Sequence, residues 1–247
     1  MTGIHYLDAR GPDGIRIYAI GDIHGHLDLL RDMHERIAGE IARDKPADWR
    51  IVHLGDLVDR GPDSAGVIGF LMAAVERDPR NIVLAGNHDV GFLDFLTEPD
   101  PAGLFACHGG GRDTARSYGV DLLVDYASSL ARGHRELAAA VPDGHQRFLR
   151  ALPRSASFGD FFFCHAGIRP GVALDRQDPE DLIWIRNEFL RHPGLHPKVV
   201  VHGHTPQAEP EVLANRVNVD TGVFHSGVLT ALVIDGSEKR LMSVRMA

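Results

Sequence analysis

The chain has 247 residues, 44% of them hydrophobic, which is enough for a substantial core and excludes a solvated tail or linker. A formal charge of −8 leaves no basic excess to neutralise a phosphate backbone, so no nucleic-acid partner is expected. Cys107 and Cys164 are too few and too distant for a disulfide framework, no apolar run approaches the roughly 20 residues that span a bilayer, and the opening residues lack a leader pattern. The expectation is therefore a cytoplasmic protein with no membrane attachment and no obligate partner.

Short apolar runs at 15–20, 51–54 and 82–85 alternate with amphipathic stretches at 27–41 and 65–75, in strand, helix, strand, helix, strand order. Such alternation predicts parallel strands joined by right-handed crossovers, with the chemistry in the loops that leave their carboxyl ends. Each strand runs into a polar cluster opened by glycine: GDIHG at 21–25, GDLVDRG at 55–61 and GNHD at 86–89. Each of these glycines is expected to supply a positive φ and a sharp turn.

From 97 to 150 the pattern loosens into helical pieces between glycines and prolines, which predicts a helical insertion within a single 1–247 domain. That insertion either covers the site or merely enlarges the fold. Branched and aromatic runs follow at 158–164, 198–201, 216–219, 228–234 and 240–245. Alternating units early and strands late predict an α/β fold, a four-layer αββα sandwich of two packed mixed sheets with flanking helices.

Asp22, His24, Asp56, Asn87, His88, His165 and His204 each follow a predicted strand. Asp22 and His24 are two apart, so in an extended segment both project to one side and can bind one ion, which Asp56 would complete. Asn87, His165 and His204 can hold a second ion if Asp56 bridges the two. Paired cations roughly 3.5 to 4 Å apart activate one water and polarise a phosphoryl oxygen together, the requirement of phosphate-ester hydrolysis. Mixed oxygen and imidazole donors suit manganese, iron, zinc or cobalt. Taken singly, each motif has an ordinary structural reading as a helix cap, an asparagine turn or a buried histidine. Their joint order in one chain outweighs those readings.

GDIHG, GDLVDRGPDS, GNHD, HAG and GHTP, in that order between about Ile15 and Ala231, resemble the phosphoprotein phosphatase branch of the calcineurin-like metallophosphoesterases. Its bacterial members include serine/threonine phosphatases and diadenosine tetraphosphatase-like enzymes. The resemblance implies two divalent ions, manganese foremost. Asp22 and His24 would sit on one, Asn87, His165 and His204 on the other, and Asp56 between them. It also implies that His88 is the general acid, that Asp59 orients it, and that Arg60 grips the substrate phosphate. The segment LIWIR is similar to the family stretch whose arginine binds phosphate, which adds Arg186 and leaves Trp184 to packing. An imidazole held by a carboxylate is a usable proton donor near neutral pH, and guanidinium suits a phosphate fork.

The expected reaction is direct hydrolysis, in which a hydroxide bridging the ions attacks phosphorus. The leading expectation is a serine/threonine protein phosphatase with broad phosphomonoesterase activity, acting on a phosphorylated protein or a small phosphate ester. The alternative is a hydrolase of diadenosine tetraphosphate or related dinucleoside polyphosphates. An inactive binding scaffold would lack ligands, and none is missing here. There are two departures: GNHD stands where the family has GNHE, a small change that should leave the metals intact, and Val223, Phe224 and His225 follow DTG where relatives place an aromatic near the site, which bears on substrate preference. His225 faces either the substrate or solvent. His202 is either structural or a neighbour of the ions, and the remaining histidines, His34 and His53 among them, take structural readings.

Overall fold

Side chains alternate between the two faces of a strand, so a strand that is apolar at every position must be covered on both. In β1 (Ile15–Ile20), residues 17 to 20 are all buried. Ile17 and Ala19 join the core between two sheets, while Tyr18 and Ile20 join the core beneath the helices. The computed structural model describes residues 3–107, 110–123 and 126–246.

Helix α1 (Leu27–Asp44) leads to β2 (Asp48–His53), and α2 (Ser64–Arg77) leads to β3 (Asn81–Val83). β1, β2 and β3 pair in parallel, as the alternation predicts. The next helix begins earlier than the sequence pattern suggests. α3 (Asn87–Thr97) starts inside the GNHD motif and buries Phe92, Phe95 and Leu96 at helical spacing. The helical insertion contributes α4 (Leu104–Cys107), α5 (Gly111–Ser117), α6 (Ala127–Ala140) and α7 (Asp143–Ala151); within it, 108, 109, 124 and 125 lie outside the described residues.

The run expected as one strand over 158–164 is a hairpin, β4 (Ser155–Phe158) and β5 (Phe161–Cys164). Gly159 turns it at φ 54°, where a Cβ would meet the Arg10 carbonyl oxygen at 2.5 Å. Then come the short helices α8 (Asp181–Trp184) and α9 (Asn187–Leu190) and the strands β6 (Val199–His202), β7 (Glu211–Val212) and β8 (Arg216–Asn218). Helix α10 (Val223–Ser226) precedes β9 (Val228–Asp235) and β10 (Glu238–Arg245).

The sheets do not divide the chain into early and late halves. β9 returns to pair antiparallel with β1, so the first sheet runs β10-β9-β1-β2-β3 and the second β4-β5-β6-β8-β7. Phe161, Phe163, Val199, Val201 and Val217 of the second sheet meet Ile17, Ala19, Leu232 and Ile234 of the first. On the outer face of the second sheet Phe162, Cys164 and Val200 are capped by Leu182, Ile185 and Phe189. The result is the expected αββα sandwich of two mixed sheets. Five strands, β1, β2, β3, β5 and β6, release their loops at one edge, and the polar clusters meet there.

A histidine pair at the end of β2 illustrates the structural readings. His53 Nδ1 lies 3.0 Å from the Ile82 carbonyl oxygen, which can only accept, so Nδ1 carries the proton. His53 Nε2 is then the acceptor for His34 Nε2–H at 2.9 Å. Protonating His53 sets N–H against N–H in a buried place, whereas His34 would take its second proton at Nδ1 and is opposed by burial. Burial pushes His53 down to about 3, helped by the neighbouring His34, and pushes His34 down to about 4. Both values lie below the unfolded value, so this stabilisation is complete above about pH 6.5 and is lost as pH falls toward 4. Unfolding free energy from urea titrations should fall from pH 7 to pH 5 by up to about 1.4 kcal/mol per pH unit for each histidine. The fall should be smaller in the His34→Gln/His53→Gln double variant, and an unchanged fall would remove the pair from the account.

Candidate metal centre

Asp56, in the loop after β2, is where the other loops converge. Its carbonyl oxygen accepts the Ile23 and His24 amides at 3.1 and 2.8 Å, which ties the β1 loop to the β2 loop. Its Oδ1 accepts the His88 amide at 3.0 Å and lies 3.3 Å from His165 Nε2, while Oδ2 lies 3.5 Å from His24 Nε2. Asn87 Oδ1 stands 2.9 Å from His165 Nε2 and 2.8 Å from His204 Nδ1. The sheet frame thus sets Asp56, Asn87, His165 and His204 around one point.

Carbonyl oxygens select the histidine tautomers. His24 Nδ1 donates to Val58 at 2.7 Å and His165 Nδ1 donates to Leu54 at 3.1 Å, which leaves each Nε2 lone pair turned toward Asp56. Two groups of side chains could each hold an ion: His24 with Asp56 and His88, and Asp56 with His165 and His204. They share Asp56. Neutral imidazoles and carboxylates around two adjacent points fit divalent metals of the first transition row.

Asp22 sits beside these groups. Its carboxylate takes the His204 amide at 3.1 and 3.3 Å and lies 4.0 Å from His165 Nδ1. The extended segment expected for Asp22 and His24 is instead a turn, with His24 at φ 42°. Of the three motif glycines only Gly55 has positive φ; Gly21 and Gly86 are required by close approach. A Cβ on Gly21 would meet the Val219 carbonyl oxygen at 2.6 Å, and one on Gly86 would meet Asp56 Oδ1 at 2.1 Å. The left-handed strain falls on the functional residues themselves: Asp56 (φ 50°), Asp59 (72°), Arg60 (69°) and His204 (67°). Each such residue costs about 1–3 kcal/mol, which the packed scaffold must supply.

The charge balance also fits cations. Asp22, Asp56, Asp89 and Asp220 are all buried. Burial, and then the Asp220 charge, raise Asp22 well above the usual carboxylate range. Asp56 is held well below that range although burial opposes it, because His165 and His88 face it. His165 rises to about 9 against its burial through the Asp56 and Asp22 charges, while burial takes His24 down to about 3 and His204 to about 2. A divalent cation beside Asp56 would take over the compensation that a proton on His165 Nε2 otherwise gives, and would leave that nitrogen a lone pair.

Two arginines flank these groups. Arg60 donates from Nη1 to His24 Nε2 at 3.2 Å and from Nη2 to His88 Nε2 at 3.1 Å. Its guanidinium lies 4.3 Å from the Phe224 ring, which is edge-on to His24. Phe224 is therefore the aromatic that faces the site, and His225 stays exposed behind it against its ring. Arg186 lies beyond α8, at the cap of α9, and its Nε donates to His204 Nε2 at 3.0 Å. Trp184 is not packed away as expected. It is 41% exposed, with its ring 6.0 Å from that of His204. His202 is wholly buried and turned from the ions, donating from Nδ1 to the Gly203 carbonyl oxygen and accepting from Arg216.

His88 Nδ1 donates to Asp59 Oδ2 at 2.7 Å. Burial alone would lower the His88 pKa; the Asp56 charge and the Asp59 hydrogen bond outweigh it, and the pKa is raised. Three residues that the sequence does not announce complete this arrangement. Thr114 of α5 donates to Asp59 Oδ1 at 2.7 Å and accepts the Asp59 amide at 2.8 Å, with Ser64 beside it at 2.9 Å. Asp89, the altered end of GNHD, accepts from the Leu57 and Gly86 amides at 2.9 and 2.8 Å, binding the β2 loop to the β3 loop. A Cβ on Gly110 would meet Asp59 Cβ at 2.8 Å, so the insertion packs directly against the loop of Asp59 and Arg60.

Paired ion-competent groups sharing one carboxylate, flanked by two arginines at the edge of an αββα sandwich, define a metal-dependent phosphoric ester hydrolase. The chain belongs to the calcineurin-like phosphoesterase family, whose pattern it matches over residues 15–227. It is 26% identical over 235 residues to the bis(5'-nucleosyl)-tetraphosphatase PrpE (asymmetrical) of Halalkalibacterium halodurans, spanning 86% of this chain and 87% of that one. It is also 26% identical over 244 residues to the protein of the same name from Geobacillus thermodenitrificans, spanning 88% and 90%. A crystal structure described as that of "a putative diadenosine tetraphosphatase" superposes with a TM-score of 0.66 at 21% identity over 94% of each chain, a likeness of fold. Among the described residues no helix is long and apolar enough to cross a membrane.

Thr114→Val should lower kcat on p-nitrophenyl phosphate roughly tenfold, because it strips one buried hydrogen-bond partner from each of two Asp59 groups. Thr114→Ser should retain most of the rate. Equal rates for the valine variant and the parent would show that Asp59 is positioned without Thr114.

Proposed function

We propose that the protein hydrolyses dinucleoside tetraphosphates asymmetrically, releasing a nucleoside triphosphate and a nucleoside monophosphate. One observation carries this reading: the two guanidinium groups stand on opposite flanks of Asp56, Arg60 against His24 and His88 and Arg186 against His204. Separated cationic grips suit a chain of phosphates whose charge extends beyond one phosphoryl group. The activity in the names of relatives that span most of this chain supports the nucleotide part. A second reading, a serine/threonine protein phosphatase with broad phosphomonoesterase activity, draws on the open rim, where Trp184 and Phe224 are 41% and 38% exposed and protein-borne phosphate could enter.

In both readings Asp56, Asn87, His165 and His204 would hold one divalent ion and His24, Asp56 and Asp22 the other, manganese being the proposed metal. When bound, the ions lower the pKa of water and neutralise phosphoryl oxygens. Arg60 and Arg186 bind and orient the phosphate chain. The Asp56 charge and the Asp59 hydrogen bond raise the His88 pKa, so that once Arg60 turns from its Nε2 to the phosphate chain that atom can carry the proton given to the departing oxygen, while Asp59 holds the ring in the tautomer and direction that this requires. Residues 1–247 act as one cytoplasmic domain, and the helical insertion serves that domain by bracing Asp59.

The test is a parallel assay of manganese-loaded protein on diadenosine tetraphosphate and on a phosphothreonine peptide, with products resolved by chromatography. ATP and AMP in equal amounts, turnover well above that of the peptide, and a loss of about 10²–10⁴-fold in His88→Asn would support the proposal. Two molecules of ADP, or preference for the peptide, would overturn it. Metal should also stabilise the fold: at 100 times its dissociation constant, manganese should add about 2.7 kcal/mol to the unfolding free energy, and Asp56→Asn should remove most of that gain.

A further inference from the structure

α3 presents one face that neither the sheet nor the insertion fully covers. Asn87, Val90, Gly91, Asp94, Phe95 and Glu98 recur on it at helical spacing and line a cavity of about 250 Å³. One lining residue, Asn87, has its Oδ1 facing His165 and His204, so the cavity lies beside the centre. Leu104 and Phe105 also line it, and Trp184 stands at its mouth, exposed and edge-on to His204. Among the described residues Asp94, Glu98 and Glu180, which also border it, have no ion-pair partner.

Resting on the dinucleotide reading, we infer that this groove holds a purine nucleobase of the substrate, stacked on Trp184, with Asp94 and Glu98 accepting its N–H groups. Three features of the groove select that occupant. Its volume lies below the roughly 300–1,000 Å³ of sites for drug-sized ligands, so it takes one ring system and not a folded partner. Trp184 supplies an exposed π surface and the buried Phe95 and Phe105 an apolar wall, beside the group of Asp56, His165 and His204. The unpaired carboxylates repel phosphates, which confines the phosphate chain to the ions and arginines and sorts the neutral base from the charged remainder. A carboxylate only accepts, so it favours bases that present amino or imino hydrogens: guanine offers two in parallel, adenine its exocyclic amino group, and uracil a single N–H between two carbonyl groups.

The test compares the parent, Trp184→Leu and Asp94→Asn/Glu98→Gln on diguanosine, diadenosine and diuridine tetraphosphate, with p-nitrophenyl phosphate as the base-free reference. In the parent, kcat/KM for the purine compounds should exceed that for the uridine compound roughly tenfold. The ratio of dinucleotide to p-nitrophenyl phosphate kcat/KM should fall roughly 10- to 100-fold in Trp184→Leu. It should fall in the acidic double variant most for diguanosine tetraphosphate. Guanosine alone should quench the tryptophan fluorescence of the parent and not of Trp184→Leu. If the parent hydrolyses dinucleotides but both ratios are unchanged and guanosine leaves the fluorescence unaltered, the groove assignment fails and the proposed reaction stands. If the parent turns over p-nitrophenyl phosphate or an arginine-flanked phosphothreonine peptide but no dinucleotide, the reaction and the groove assignment fall together.

Discussion

A carboxylate buried to 2% exposure, with no lysine or arginine paired to it among the described residues, is the constraint around which this protein is organised. Burying a lone charge is costly unless it is compensated. Asp56 is compensated by the ends of other strands: the amides of Ile23, His24 and His88 converge on its backbone and side chain, and His24 and His165 turn their Nε2 atoms toward it. Those imidazoles are fixed by carbonyls of the neighbouring turns, so the charge and the loops that carry it specify one another. The same mutual arrangement sustains left-handed backbone at His24, Asp56, Asp59, Arg60 and His204. Strain collected at residues that must converge, on a scaffold dense enough to hold it, is a common price of a preorganised centre.

The helical insertion serves this centre from the side. Gly110 fits where a Cβ would strike Asp59, and Thr114 satisfies both the amide and a carboxylate oxygen of that residue. Asp59 in turn holds His88. A segment expected either to cover the site or to enlarge the fold therefore reaches the proposed proton donor, His88, through two hydrogen bonds. The other end of the same region, α4, joins α3 in walling the groove that Asn87 helps to line. One stretch of chain thus contacts both the reacting groups and the surface on which a substrate's remote part would rest.

The ions' surroundings also separate duties by charge. Arginines face the ion-competent groups, while the groove beside them carries unpaired carboxylates. Phe224 and Trp184 stand on the two flanks, the first beneath Arg60 and the second beside His204. On the proposed reaction a phosphate chain would be drawn to the first environment and excluded from the second, so that the distribution of charge, and not the catalytic set, would distinguish substrates that share the same scissile bond.

Much of this was legible in the residue order. Alternating apolar periods locate β1 to β3 and the crossovers α1 and α2, because a strand buried on both faces and a helix buried on one leave different spacings. The clusters at 21–25, 55–61 and 86–89, with His165 and His204, mark the loops that meet, since polar groups directly after buried strands have few other uses. Local pattern could not show that β9 joins β1, because strand pairing is a choice among distant partners. Nor could it show that 155–164 folds back on itself, or that α3 starts at Asn87. Asp22 and His24 read as neighbours in an extended segment, and only the tertiary turn sets Asp22 against the His204 amide. Thr114 carries no signal, and Ser64 and Asp89 stand inside motifs without a role of their own, because a hydroxyl or carboxylate that satisfies a distant amide looks like any other polar residue until the fold brings that amide to it. The sequence determined which chemical groups stand at the strand ends; the tertiary structure decided which of them share a point in space, since register, sheet order and buried hydrogen-bond demand are properties of the packed chain and not of its local periods.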